Sequence, residues 1–267
     1  MRILDKAARS PERILIYGAP KSAKTRFATA LPWGTEPWGD KAVYVAADAG
    51  GASLRSVLLE DRKHLVVVDP HPESGPYDPL HEAVAIATHD WTKLGASTII
   101  WDTITQTAED VLRAYSIIGN YASNPITFGK KGTAEFHVHP NEGDYGAAQN
   151  SIGTHLMGHL FAQPLNLIII AHETWVEPKN ANACIGGPAT IGRALVGKLP
   201  GEFDTVIRTE VRRVSNPGKA TVTEFRARTQ PHGPWIVGIR NPGVNLPDYV
   251  MGEDPRGFWL DYTKLVS

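Results

Sequence analysis

The sequence predicts an α/β fold: a mostly parallel, twisted sheet flanked by helices, with an antiparallel β extension on its C-terminal side. Three observations predict it. An apolar run at residues 14–17 leads directly into the phosphate-loop pattern Gly18-Ala-Pro-Lys-Ser-Ala-Lys-Thr25. Short apolar runs then alternate with stretches of helical spacing as far as residue 171, which is the rhythm of βαβ units. After Phe203 the pattern changes to β-rich runs.

Each element follows from its local pattern. Residues 13–17 form the first strand, and residues 24–31 start the first helix. Residues 33–40 are a turn-rich connection, 42–47 a second strand and 53–60 a short helix. The third strand, 64–68, is stopped by Asp69-Pro70, and residues 79–93 have helical spacing. Residues 97–101 form a fourth strand, followed by a helix near 105–117, another over 145–161 and a fifth strand over 165–171. Two stretches break the rhythm. Residues 119–143 are rich in Asn, Pro, Gly and His, and residues 174–192 are polar and Gly-rich. A connection as long as the first is usually functional or disordered. The late β-rich runs are 205–214, 220–229 and 235–240, with Asn216-Pro-Gly218 as a hairpin turn. From Asn241 the chain is Pro- and Gly-rich, with regular structure expected only at its end. The organisation read from this is an N-terminal tail (1–12), one domain (13–247) and a C-terminal tail (248–267).

Composition narrows the function classes. The 267 residues carry 27 Lys and Arg against 28 Asp and Glu, so no global basic field points to nucleic acid and any such contact must be local. The single cysteine, Cys184, excludes an intramolecular disulfide framework and suits a reducing cytosol. Residues 1–13 have charges but no apolar h-region, and runs such as 167–171 are far too short to span a bilayer. A cytoplasmic protein with no membrane partner is expected.

The loop carries specific chemistry. After a strand, a tight turn through Gly18, Ala19, Pro20, Lys21, Ser22 and Ala23 aims backbone N–H groups at phosphate oxygens. Lys24 would reach the β- and γ-phosphates of ATP, and the Thr25 hydroxyl would ligate Mg²⁺. Gly18 supplies the freedom of the turn. Ala23 replaces the usual second glycine at the helix entrance, where ordinary helical dihedrals are expected to suffice. The run Thr98-Ile-Ile-Trp-Asp102-Thr103 is a second nucleotide signal, because an acid at the end of such a strand can hold the Mg²⁺ hydration shell. Thr103 follows it, so a hydrolytic carboxylate must come from elsewhere. Asp48, in Val43-Tyr-Val-Ala-Ala-Asp48-Ala-Gly-Gly51, is the best candidate on position, with a turn aspartate weighing about equally on spacing alone. Zinc is weakly supported: His137 with His139, and His155 with His159, lack an evident second ligand set.

This order of loop, acid, extra strand and strand-terminal Asp resembles the RecA-like ATPase core. More closely, the chain looks like the compact phage RecA-like proteins of the Sak-type single-strand annealing group. The resemblance rests on the loop, on Ile-Trp-Asp-Thr-Ile-Thr105, Ile-Ile-Ala-His-Glu173, the run from Gly192 to Asp204, and Gly238-Ile-Arg240, within residues 13–247. It implies that Asp48 is the catalytic carboxylate, one methylene shorter than the family's usual glutamate. It implies that His172 is a γ-phosphate sensor and that Arg240 is a finger reaching a neighbouring subunit's nucleotide. The irregular stretches fall where the family's DNA-binding loops lie. There Lys130, Lys131, Lys179, Arg193 and Lys198 would meet phosphates, and Tyr121, Phe128, Phe136 and Trp175 would stack on bases. The implied function is ATP-dependent action on single-stranded DNA in phage recombination or annealing, in the cytoplasm of a bacterial host. The implied partners are a homo-oligomeric ring or filament and, as a candidate, a single-strand-binding protein. A helicase or helicase-loader motor and a non-hydrolysing, nucleotide-gated assembly module remain as alternatives.

Overall fold

In the computed structural model, β1 (Arg13–Gly18) is the strand about which the sheet is built. Ile14 to Tyr17 have no exposed surface, because the strand is paired on both edges and covered on both faces. The structure describes residues 10–71, 78–123, 140–177, 184–215, 221–240, 244–252 and 254–266.

In chain order β1 is followed by α1 (Lys24–Thr29), β2 (Ala42–Ala46), a 3-10 helix (Ala49–Ser56), α2 (Leu59–Arg62) and β3 (Leu65–Val68). Then come α3 (Pro79–Thr88), β4 (Thr98–Asp102), α4 (Ile104–Ser123), α5 (Glu142–Asn150), a π-helical turn (Ser151–Leu156) and α6 (Met157–Ala162). The rest is β5 (Asn166–Val176), β6 (Ile185–Pro188), α7 (Gly192–Lys198), β7 (Thr205–Val214), β8 (Val222–Arg228), β9 (Gly238–Ile239), β10 (Tyr249–Met251) and α8 (Arg256–Val266). The strand order is β10-β8-β7-β1-β5-β4-β2-β3, with β6 paired to β5 and β9 to β7. From β7 to β3 the neighbours are parallel, while β8, β10, β6 and β9 pair antiparallel. This is the expected fold class.

Alternation along the parallel strands makes two cores. Leu15, Tyr17, Val45, Trp101 and Ile169 face α3 to α6. Ile14, Ile16, Tyr44, Ile100 and Ile168 face Phe27 of α1 and Phe258, Trp259 and Tyr262 of α8. In the segment expected as a C-terminal tail, a strand joins the sheet and a helix buries three aromatic rings. The indole N–H of Trp259 donates to the carbonyl of Phe27 at 2.7 Å, which pins α8 onto α1.

The expected end of the fifth strand is corrected. β5 continues five residues past Ala171 and pairs antiparallel with β6, so much of the stretch 174–192 is a hairpin followed by α7. A loop-like composition was compatible with a strand pair because Gly186 makes room for Trp235: a Cβ there would lie 2.3 Å from the indole. The run 235–240 contributes only the short β9. Among the described residues no helix is long and apolar enough to cross a membrane.

Trp259→Ala is expected to lower unfolding stability by about 3–5 kcal/mol, the range for a large core truncation, as measured by urea denaturation.

Candidate nucleotide site

Parallel strands present their C-terminal ends on one edge, and the chemistry collects there. Gly18 of β1 stands beside His172 of β5 on one side and Thr209 of β7 on the other. A Cβ on residue 18 would lie 2.2 Å from the Thr209 carbonyl oxygen and 2.4 Å from its hydroxyl. Glycine is therefore required for lack of space, rather than for the conformational freedom expected from the sequence. Ser22 Oγ and Thr209 Oγ1, 2.6 Å apart, share a buried hydrogen bond that ties the loop to β7.

The expectation for Ala23 is overturned. Its φ of 64° and ψ of 22° are left-handed, and Lys21 also has a positive φ of 63°. The turn needs that conformation to enter α1, where Phe27 N–H donates to the Ala23 carbonyl at 2.9 Å. A Cβ in this region is crowded by the following carbonyl, which costs roughly 1–2 kcal/mol per residue.

Lys24 is buried, and its ammonium donates to the carbonyls of Gly18 at 3.0 Å and Ala19 at 2.8 Å. Burial lowers its pKa to about 8, against the opposing pull of Asp102 and Glu173. Asp102 ends β4 and is also buried. Its Oδ2 accepts from the Thr25 hydroxyl at 2.5 Å and from the Tyr44 hydroxyl at 2.7 Å. Burial raises the Asp102 pKa, and nearby Asp48 adds to the rise, while the two hydroxyl donors and Lys24 oppose it. Tyr44 was missed by the sequence reading. The available signal was a phenol within an apolar strand, since a buried hydroxyl needs a partner.

Asp48 lies just past β2 and lines the same cavity as Lys24 and Asp102. Ser53 donates to its Oδ2 from the backbone N–H at 3.2 Å and also from its hydroxyl. Oδ1 is buried with no hydrogen-bond partner. His172 is the fourth member of the group. Its backbone N–H donates to Thr105 Oγ1 at 2.9 Å, and its ring Nδ1 is buried and unpartnered. Burial and then the Lys24 charge lower its pKa, against the opposing pull of Asp48.

The cavity these residues share has a volume of about 600 Å³. The Thr25 hydroxyl and the Asp102 carboxylate are hard oxygen donors, which fits Mg²⁺. Among the described residues no cluster of three or more His, Cys, Asp or Glu is placed to hold a metal unaided.

The other expected site residues are elsewhere. Arg240 follows β9, which pairs with the start of β7, at the opposite edge of the sheet from Gly18. There it bonds Asp204 Oδ1 at 3.3 Å. Lys130, Lys131, Lys179, Phe128, Phe136, His137 and His139 lie outside the described residues. Tyr121 falls in α4 and Arg193 in α7, with side chains outside the description. Lys198 is exposed at the end of α7. Trp175 on β5 is 53 % exposed, and its ring lies 4.3 Å from that of Trp235.

No family model and no curated protein matches the chain. Solved structures are similar at low identity. A KaiC-like protein from Pyrococcus horikoshii has 13 % identity, covering 91 % of this chain and 86 % of its own, with a TM-score of 0.48. The flagellar accessory protein FlaH from Methanocaldococcus jannaschii has 11 % identity, covering 90 % and 85 %, with a TM-score of 0.43. The RadB recombinase has 12 % identity, covering 84 % and 85 %, with a TM-score of 0.38.

Two outcomes test this geometry. Ala23→Gly is expected to raise unfolding stability by about 1 kcal/mol, read as an increase in Tm; no gain would argue against the left-handed conformation. Lys24 has a folded pKa below its unfolded value, so the unfolded chain binds more protons above pH 8 and stability rises with pH from there toward the ordinary lysine range. A bound triphosphate reverses the shift, so triphosphate affinity is expected to fall by up to about tenfold per pH unit above pH 8, measured by calorimetry across a pH series.

Proposed function

We propose that this chain is an ATP-binding and ATP-hydrolysing RecA-like protein that acts on single-stranded DNA. The observation that carries the ATPase reading is the convergence of Lys24, Thr25, Asp102 and Asp48 on one cavity at the C-terminal edge of the sheet. Backbone N–H groups of the turn and the Lys24 ammonium receive the β- and γ-phosphates. Thr25 and Asp102 would hold Mg²⁺, which when bound neutralises charge on the phosphate oxygens. Ser53 fixes one oxygen of Asp48, leaving Oδ1 to orient the attacking water and accept its proton. The imidazole of His172, on the strand beside Gly18, would respond to the γ-phosphate. Arg240, remote from the site of its own chain and bonded there to Asp204, would have to leave that partner to reach a neighbouring subunit's nucleotide in a ring or filament.

The DNA reading rests on the resemblance to the Sak-type annealing proteins, with a role in phage recombination or strand annealing. The exposed Trp175, three residues past His172 on the same strand, supports it by offering a stacking surface.

Lys24→Ala is expected to weaken ATP binding by about 100-fold by calorimetry, the loss of a charge-assisted contact. Asp48→Asn should bind ATP as the unaltered chain does, with phosphate release slowed by about 100-fold or more. Unchanged ATP affinity in the first variant, or unchanged turnover in the second, would sink the reading. The DNA arm is tested by ATPase rate with and without single-stranded DNA over a salt series, where salt-sensitive stimulation is expected. Arg240→Ala should retain ATP binding and lose hydrolysis that depends on assembly.

A further inference from the structure

A second cavity adjoins the strand that carries His172. Side chains alternate along β5, so His172, Thr174 and Val176 share one face. His172 lines the nucleotide cavity, whereas Thr174 and Val176 line a separate hollow of about 360 Å³. Another wall is α4, where Thr105, Glu109 and Leu112, spaced four and three residues apart, present one helix face. Tyr145 of α5, the connection from Ala189 to Ile191 and Val196 of α7 complete it. These walls are fastened to one another. The Thr105 hydroxyl accepts from the His172 backbone N–H and donates to the Ala189 carbonyl at 2.7 Å, which joins α4 to β5 and to the chain after β6. The Gln149 side chain on α5 donates to the Ile191 carbonyl at 3.0 Å. At Gly187 of β6 a Cβ would lie 2.9 Å from a Val196 methyl, so glycine there lets α7 come close. A hollow within such a frame is preformed, and its volume lies at the lower end of the range of small-molecule sites.

The lining has a consistent chemistry. Leu112, Val176, Ile191 and Val196 make it mostly apolar. The Thr190 hydroxyl is buried with no hydrogen-bond partner, a condition that costs stability unless a ligand supplies one. Glu109 is exposed and has no ion pair among the described residues. Tyr145, also exposed, adds an aromatic ring. A carboxylate and a ring on one lining select a cation. The hydroxyls of Thr174 and Thr190 can accept from an ammonium N–H, and the apolar walls ask for a hydrocarbon body behind it.

We propose that this hollow binds a small primary amine with an apolar body, the body against Leu112, Val176, Ile191 and Val196 and the ammonium at Glu109. The site is separate from the nucleotide cavity, and its test needs no nucleotide. The chain is titrated with phenethylamine, with its neutral isostere phenethyl alcohol and with acetyl-lysine methylamide, and binding is read from the methyl NMR signals of Val176, Ile191 and Val196. Phenethylamine should shift those signals with a Kd of about 1 mM or lower. Phenethyl alcohol should shift the same signals with about fivefold weaker affinity, the scale of one exposed charge pair. Glu109→Gln should bring the two ligands to within about twofold of each other by weakening the amine alone. Ala189→Leu, which fills the hollow, should abolish binding of both, with thermal unfolding reporting that the variant is folded. Glu109 is exposed, so its variant keeps the test open if Ala189→Leu does not fold. Absence of the shifts, equal affinity of the unaltered chain for amine and alcohol, an amine preference that survives Glu109→Gln, or binding retained by a folded Ala189→Leu overturns the site. Tighter binding of the lysine amide than of phenethylamine overturns the small-molecule class in favour of a partner protein's side chain.

Discussion

The site depends on how closely β1 is packed between β5 and β7. At Gly18 no Cβ fits against Thr209, and the backbone there is also in register with His172. That approach fixes where the phosphate loop begins, and the bond between Ser22 and Thr209 fixes how it turns. The same packing sets what lies farther along the edge. Because β7 is locked to the loop and continues beyond it, β8 and then β10 are carried past the loop to form the outer wall of the cavity. One steric constraint in the central strand thus orders both ends of the site.

Electrostatics give the site its character. Lys24 and Asp102 are both buried, and burial pushes each toward its neutral form. Their mutual attraction and the hydroxyls of Thr25 and Tyr44 act in the other direction. A polyanion entering beside Lys24 changes this balance at once, because it stabilises the ammonium by far more in a dry cleft than it would in water. Asp48 is held differently. Ser53 satisfies one of its oxygens, and the other faces no partner.

What was legible in the sequence was local. A strand, a glycine turn and Lys24-Thr25 are neighbours in the chain, as are the apolar run and its terminal Asp102, so short patterns sufficed. The partners Tyr44 and Thr209 were not legible, because a strand's neighbour in a sheet is decided by topology tens of residues away. Dihedral angles were misread for a related reason. The pattern at Ala23 says only which residue is present, while its left-handed φ is imposed by the chain's path from β1 into α1. The β5–β6 hairpin was hidden by composition. Gly186 looks like loop, yet its missing side chain is what lets Trp235 close over the strand pair. The outer wall was hidden by distance, since Phe225 comes near Phe27 through the pairing of β8 with β7, and Pro255 through the return of α8 onto α1.

The correction to β5 changes the setting of His172. A residue at the end of a strand could move by itself, but His172 sits inside a continuous strand. The Thr105 hydroxyl accepts from the His172 backbone N–H and donates to the Ala189 carbonyl at 2.7 Å. The Ala189 N–H in turn donates to the His172 carbonyl at 2.6 Å. The start of α4, the middle of β5 and the end of β6 are therefore joined through the Thr105 hydroxyl and the backbone groups of His172 and Ala189, which lose a partner if one element shifts alone. An unmade bond at a buried backbone group costs about 1–3 kcal/mol, so the three elements favour moving together. Trp175 lies three residues along the same strand, with its ring against Trp235, and Trp235 lies 3.7 Å beneath the guanidinium of Arg208. Arg208 closes the circuit by pairing with Glu173, the residue after His172. His172, Glu173 and Trp175 are thus tied through β5 to one packed cluster with Arg208 and Trp235.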